Sequence, residues 1–60
     1  MNNIINFYRR QSFLARLGIT LLAEKAEMGA YSQNRNWEAV ERILLDIQST
    51  RKAIDRIKSL

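Results

Sequence analysis

Three features of this 60-residue sequence predict an all-α fold in which two helices pack as an antiparallel hairpin. Turn-forming residues cluster at one place only, Gly29 to Asn36, which reads Gly-Ala-Tyr-Ser-Gln-Asn-Arg-Asn. On each side of this cluster, more than twenty residues show helical periodicity, and the chain has no proline to interrupt them. We therefore expect a single domain with helix 1 over about residues 3–28, a turn over 29–36 and helix 2 over about 37–59.

The first predicted helix has an unusually wide apolar arc. Asn2 or Asn3 can cap its N-terminus. On a helical wheel the arc covers roughly two-thirds of the circumference. Its central residues are Ile4, Phe7, Leu14, Gly18, Leu21, Leu22 and Met28, and Ile5, Tyr8, Ala15, Ile19 and Ala26 flank them. One neighbouring helix cannot cover such an arc, so helix 1 is expected to have at least two neighbours.

The two glycines have different predicted roles. Gly29 follows the last residue of the helix 1 periodicity, where a left-handed glycine commonly ends a helix in a Schellman motif. Gly18 lies in the middle of the apolar arc, where glycine costs about 1 kcal/mol relative to alanine. Either another backbone approaches closely at Gly18, or the helix simply tolerates the residue.

The second predicted helix starts at Asn36, or at Asn34 if the turn is tighter, and has a narrower apolar seam. Its seam residues follow one another in steps of three and four, as in a heptad: Val40, Ile43, Ile47, Thr50, Ile54 and Ile57. Trp37 and Leu44 widen the seam on one side, and Leu45 points away from it. The mismatch between one wide and one narrow apolar face predicts a homodimer, as an antiparallel four-helix bundle with helix 1 at its centre. A monomeric hairpin that docks onto a different protein is the alternative.

The residue types present argue against catalysis and against metal or cofactor binding. The chain has no histidine and no cysteine, which removes the most common general base, the strongest nucleophile and the usual zinc ligands. Without histidine, neither an acyl-transfer triad nor the Glu-x-x-His motif of bundle di-metal sites can form. Two glycines are too few for a phosphate-binding loop. We therefore expect a non-enzyme without cofactors.

The positive charge is concentrated at the two ends of the sequence. The formal net charge is +4, yet residues 24–46 carry five acidic and three basic residues. In a hairpin the two basic ends lie at the same end of the molecule and can form a phosphate-binding patch. Its residues would be Arg9, Arg10, Arg51, Lys52, Arg56 and Lys58. Contact with nucleic acid is therefore the second functional hypothesis, although cationic helix C-termini are also favoured by the helix dipole alone.

No stretch is apolar for the ~20 residues that a membrane-spanning helix needs. Residues 8–14, Tyr-Arg-Arg-Gln-Ser-Phe-Leu, resemble a twin-arginine export signal, but one extra residue separates the arginine pair from Phe-Leu. A solvated arginine pair on a helix and a cytoplasmic protein are the preferred interpretation. Membrane-surface binding by the N-terminal helix is a minor alternative.

Exposed aromatic and aliphatic side chains are the candidate protein contacts. Tyr31 and Trp37 frame the turn and can either form a binding hot spot or close the end of a bundle. Tyr8, Phe13 and Leu45 are expected on the outer surface. An interaction protein that presents these five side chains to a partner is the first functional hypothesis, and a purely structural bundle within a larger assembly is a third.

In overall character, the chain resembles the small, cysteine-free, all-helical accessory proteins of temperate bacteriophages. The likeness lies in the capped amphipathic hairpin itself, here Asn2–Met28 and Asn36–Leu60, and covers the whole chain without a diagnostic motif. The resemblance implies a product that works in the host cytoplasm by binding and altering a bacterial protein. It carries over no functional residue.

Overall fold

The computed structural model describes residues 2–59 and consists of two α-helices joined by a short turn. Helix α1 spans Asn2–Gln33 and helix α2 spans Trp37–Lys58. The two pack side by side in opposite directions, and the hairpin measures 51 × 15 × 9 Å. The predicted all-α helical hairpin is confirmed. Neither helix, within the described residues, has a stretch long and apolar enough to cross a membrane.

The turn lies later and is shorter than the predicted 29–36. Helix α1 continues through Gly29 to Gln33, so only residues 34–36 separate the helices. Met28 and Tyr31 are both half-buried against α2, and this packing offsets the ~1 kcal/mol that a helical glycine costs. The prediction that Gly29 ends the helix in a left-handed conformation is therefore wrong, since no described glycine has positive φ.

A Schellman motif does end α1, but Arg35 occupies its left-handed position, with φ of 56°. The Arg35 N–H donates to the Ser32 carbonyl (3.1 Å), and the Asn36 N–H donates to the Tyr31 carbonyl (2.9 Å). Asn36 also caps α2, because its Oδ1 accepts from the Ala39 N–H at 3.4 Å. Asn36 therefore serves both helix ends.

The seam predicted for α2 is confirmed. Ile43, Ile47 and Thr50 are buried, and the three remaining seam residues are half-buried. Residues of α1 at the same three- and four-residue steps are half-buried, and all but Arg10 lie opposite α2: Arg10, Leu14, Leu17, Leu21, Glu24, Met28 and Tyr31. Matching steps on both helices are the pattern of a short antiparallel coiled coil.

The wide apolar arc predicted for α1 divides into two stripes. Leu14, Leu21 and Met28 face α2, whereas Ile4 and Leu22 are 62% and 69% exposed. The α1 seam is rotated away from the centre of the arc. A Cβ added at Gly18 would meet nothing within 4 Å, so α2 does not approach this glycine closely.

One polar layer crosses the seam near its middle. Thr50 is 8% exposed, and its Oγ1 donates to Oε1 of Glu24 on α1 at 2.7 Å. The same hydroxyl lies 3.0 Å from the Asp46 carbonyl, one turn earlier in α2. A hydroxyl has a single proton, and the shorter contact to a carboxylate is the stronger bond. This bond ties one level of α1 to one level of α2.

Helix α1 extends well beyond the end of α2. It has 32 residues against 22, so it is ten residues longer. Because the helices meet at the turn, roughly the first ten residues of α1 project ~15 Å past α2. We call residues 2–11 the overhang. Its large side chains Ile4, Ile5, Phe7 and Tyr8 are 48–68% exposed.

Candidate interaction surfaces

The hairpin buries little apolar surface and exposes much of it. In the described part of the chain, Ile43 and Ile47 are the buried apolar side chains, exposed by 9% and 5%. Ten large apolar side chains are 42–69% exposed. Contiguous exposed apolar surface commonly marks an interaction site in a soluble protein. All ten of these side chains except Ile5 belong to three groups with different chemistry, and Tyr8 belongs to two of these groups.

The first group is a stripe along α1 on the side opposite its seam, which we call the charge-free face. It contains no Lys, Arg, Asp or Glu between residues 4 and 29. Its members are Ile4, Tyr8, Gln11, Ala15, Gly18, Ile19, Leu22, Ala26 and Gly29. All are exposed except Gly18, which is half-buried. The stripe therefore runs nearly the full length of α1 without a solvating charge.

The second group lies beside that stripe near the N-terminal end of α1. Tyr8, Arg9, Ser12, Phe13 and Arg16 line an open depression of about 310 Å³. Phe7 meets Tyr8 edge to face, with ring centroids 5.8 Å apart. Tyr8 and Phe13, both predicted as contacts, are 68% and 55% exposed and lie together here. Two arginines border the aromatic surface, so this depression suits an apolar group with nearby negative charge.

The third group lies on α2. Trp37 is 59% exposed and Leu44 is 42% exposed, and their seven-residue separation places them on one side of the helix. Leu45 is 64% exposed and points away from the seam, as predicted. Trp37 begins α2 at the turn, whereas Tyr8 lies about 35 Å away along the hairpin. The five predicted contact residues therefore do not form one site.

Tyr31 differs from the other four predicted contacts because it is half-buried. It occupies the last turn of α1 within the seam, and its carbonyl accepts the Asn36 N–H. This placement matches the alternative that Tyr31 closes the turn end of the hairpin.

The predicted cations share one end of the molecule without forming a compact patch. Arg51 and Lys58 lie on one side of α2, and Lys52 and Arg56 lie on another. Arg9 and Arg10 lie on the overhang, beyond the end of α2, and Arg10 is half-buried. The hairpin is nevertheless electrically polar. Residues 1–23 and 47–60 carry seven bases and one acid, against three bases and five acids in residues 24–46.

Reasoning from sequence missed the exposure of Ile19 and Leu22, both 69% exposed, and the overhang as a separate segment. The signal was present in the spacing. Helix α1 has a second set of three- and four-residue steps, from Arg10 to Tyr31, that matches the steps of α2. A search for apolar residues alone misses this set, because two of its members, Arg10 and Glu24, are charged.

Comparison of the chain with protein-family models, with characterised proteins and with solved structures finds no match in any of the three. The surfaces described above are therefore the features that bear on function.

Proposed function

We propose that this chain is a small non-enzymatic interaction protein, a homodimer that binds and modulates a partner protein through its exposed apolar side chains. One observation carries the proposal: in the part of the chain that the structure describes, ten large apolar side chains are 42–69% exposed, whereas the buried apolar residues are Ile43 and Ile47. A chain that exposes this much apolar surface and buries so small a core is stabilised by association with another protein or with a second copy of itself.

Two separate surfaces support two separate contacts. The charge-free face of α1 is long and uniform, which suits a second helix of equal length. Trp37, Leu44 and Leu45 on α2 form a smaller apolar group bordered by charged residues, which suits a heterologous partner. Tryptophan is among the residues most often found at binding hot spots. The resemblance to bacteriophage accessory proteins makes the proposed partner a bacterial host protein, met in the cytoplasm.

The test combines mass in solution with capture of a partner from bacterial lysate. Light scattering is expected to give the mass of two chains. Wild-type protein is expected to retain one bacterial protein in constant ratio, and the double variant Trp37→Ala, Leu45→Ala is expected to lose it while remaining a helical dimer. Ser49→Ala, also exposed on α2, is the matched control. Equal capture by the double variant and Ser49→Ala would refute the role of this surface.

A nucleic-acid accessory role is the second candidate, and the charge polarity of the hairpin favours it. The open end, where α2 finishes, carries seven bases and one acid. Binding would rest on phosphate contacts from Arg9, Arg10, Arg51, Lys52, Arg56 and Lys58, and would weaken steeply as salt rises.

Fluorescence anisotropy with random duplex DNA over a salt series distinguishes the two candidates. The nucleic-acid role requires binding at low salt that disappears as salt rises. For each ten-fold rise in salt, the logarithm of the binding constant is expected to fall by ~0.9 per phosphate contact. It also requires a large loss in the double variant Lys52→Glu, Arg56→Glu, which reverses two neighbouring charges on α2. An absence of binding at low salt would exclude this role.

A further inference from the structure

We propose that a second copy of this chain docks on the charge-free face of α1 in the antiparallel direction, with the two-fold axis between Gly18 and Ile19. The inference rests on the homodimer proposed above and assigns its face, direction and register. Three observations carry it: the spacing of the face, its charges, and the area that the hairpin leaves exposed.

The spacing of the charge-free face is the same in both directions about the proposed axis. From Ile4 the steps to Tyr8, Gln11 and Ala15 are four, three and four. From Gln33 towards the N-terminus, the steps to Gly29, Ala26 and Leu22 are also four, three and four. An antiparallel copy therefore places each position of the face from Tyr8 to Gly29 opposite another position of the same face, as a two-fold interface requires, and places Ile4 opposite Gln33.

Side-chain sizes across the proposed axis are complementary. Across the axis, a large residue faces a small one at three levels. The facing pairs are Tyr8 with Gly29, Ala15 with Leu22, and Gly18 with Ile19. A Cβ built at either glycine meets nothing within 4 Å, so both positions are open to a side chain from another copy. A parallel copy would instead place Tyr8 against Tyr8 and leave the small residues facing each other.

Charge also favours the antiparallel direction. Arg9, Arg16 and Glu27 border the charge-free face on one flank of α1. In an antiparallel pair about this axis, Glu27 of each copy faces the Arg9–Arg10 turn of the other. More broadly, the basic open end of one hairpin lies beside the acidic turn end of its partner. A parallel pair would instead place the two basic open ends side by side, and like charges side by side destabilise association.

The exposed area matches what a stable dimer needs. The hairpin exposes 5192 Å², whereas a compact monomer of 7.0 kDa is expected to expose about 4,000 Å². A standard interface buries ~800 Å² from each partner. The excess of roughly 1,100 Å² over the compact value is thus of the size that one such interface removes.

The proposed axis also gives the overhang a neighbour. Helix α1 spans Asn2–Gln33, so its midpoint lies within one residue of Gly18. Two copies paired there overlap over residues 4–33 of α1, and the overhang of each lies along the turn end of the other. Ile4 and Tyr8, which α2 does not reach, are then covered.

Single introduced cysteines test direction and register, because the natural chain has none. Ile19→Cys lies beside the axis and is expected to cross-link to itself efficiently with a short bismaleimide. Tyr8→Cys alone is expected to fail, since the two copies of residue 8 would be ~31 Å apart. A mixture of Tyr8→Cys and Gly29→Cys proteins is expected to give the mixed cross-link. Leu45→Cys, on the outer side of α2, is the negative control.

Each outcome bears on a different claim. A single-chain mass for the uncross-linked protein at high concentration overturns the homodimer itself, and with it this inference. A two-chain mass with self-cross-linking at Tyr8→Cys overturns the direction only. A two-chain mass with cross-linking at Leu45→Cys but not at Ile19→Cys overturns the face, and leaves the proposed homodimer standing.

Charge substitutions test the same face without cross-linking. Leu22→Lys is expected to give a single-chain mass, whereas Leu45→Lys stays a dimer, although the two leucines are 69% and 64% exposed in the hairpin. Glu27→Arg is expected to weaken the dimer by about three- to ten-fold, because two symmetric pairs are lost. Combining it with Arg9→Glu is expected to restore part of that loss. Equal dimerisation of the Leu22 and Leu45 variants would overturn the assigned face.

Discussion

Replacement of Thr50 with valine is expected to lower the free energy of unfolding by about 1 kcal/mol, although the two side chains have nearly the same shape. The Thr50 hydroxyl donates to the Glu24 carboxylate at 2.7 Å. Hydrogen bonds to charged groups contribute roughly 1.5–3 kcal/mol when both partners are buried. Glu24 is only half-buried and regains water when the bond is lost, which reduces the expected cost to the lower figure.

The reciprocal change is expected to be much milder. In Glu24→Leu the Thr50 hydroxyl keeps a second acceptor, the Asp46 carbonyl at 3.0 Å, so no buried donor is left unpaired. Leucine also extends the apolar seam of α1. We expect Glu24→Leu to be within about 0.5 kcal/mol of wild type, and the double variant with Thr50→Val to be at least as stable as wild type.

Urea denaturation followed by circular dichroism at 222 nm measures all four proteins of this double-mutant cycle. Protein concentration must be held constant, because dimerisation contributes to the measured free energy. The expected coupling between the two positions is about 1 kcal/mol. A coupling within ~0.3 kcal/mol of zero would mean that the bond does not form in solution, and would refute the reasoning.

Three further predictions concern the seam and the turn. Ile47→Ala removes a side chain that is only 5% exposed, and is expected to lower the free energy of unfolding by ~2–4 kcal/mol and leave much of the protein unfolded at 25 °C. Leu45→Ala, at a position 64% exposed, is expected to lower it by under ~0.5 kcal/mol. Equal urea midpoints for the two variants would contradict this. Arg35→Gly is expected to raise stability by up to ~1 kcal/mol, because glycine adopts the left-handed φ of 56° without a Cβ clash; a lower melting temperature would count against it. Asn36→Ala is expected to cost ~0.5–1 kcal/mol by removing the acceptor for the Ala39 N–H, and Asn36→Ser is expected to retain most of that stability.

The second helix could be predicted from sequence almost residue by residue. Its seam is apolar at steps of three and four, and its remaining positions are mostly charged or polar. The contrast between the apolar seam and the charged or polar remainder determines which side of α2 faces α1. Its cap at Asn36 was predictable for a similar reason, since asparagine directly before an apolar-periodic run satisfies the first free N–H groups.

The first helix could be predicted only in outline. Two apolar stripes on one helix merge into a single wide arc, and hydrophobicity alone does not say which stripe meets α2. The choice depends on pairing across the seam, where Glu24 bonds to Thr50, and such long-range pairing is not visible in local sequence. The turn was misplaced for a related reason. Contacts of Met28 and Tyr31 with α2 keep Gly29 helical, so a residue without special turn preference, Arg35, takes the left-handed position.

The candidate contacts could be predicted as exposed side chains but not as sites. Tyr8 and Phe13 lie together because five residues of one helix bring them to the same depression. Trp37 and Leu45 lie on the other helix, towards the turn. The sequence did not indicate how far α1 projects past α2, because the predicted bounds, 3–28 and 37–59, gave two helices of similar length.

The unequal lengths also affect how the first ten residues become helical. An isolated ten-residue helix is unstable in water, because fixing its first turn costs more than one hydrogen bond returns. Here the paired part of α1 already supplies that nucleus, so the projecting segment only needs to propagate from it, one bond per residue. A second molecule would then meet a preformed rod and lose less conformational entropy on docking than it would with an unstructured tail.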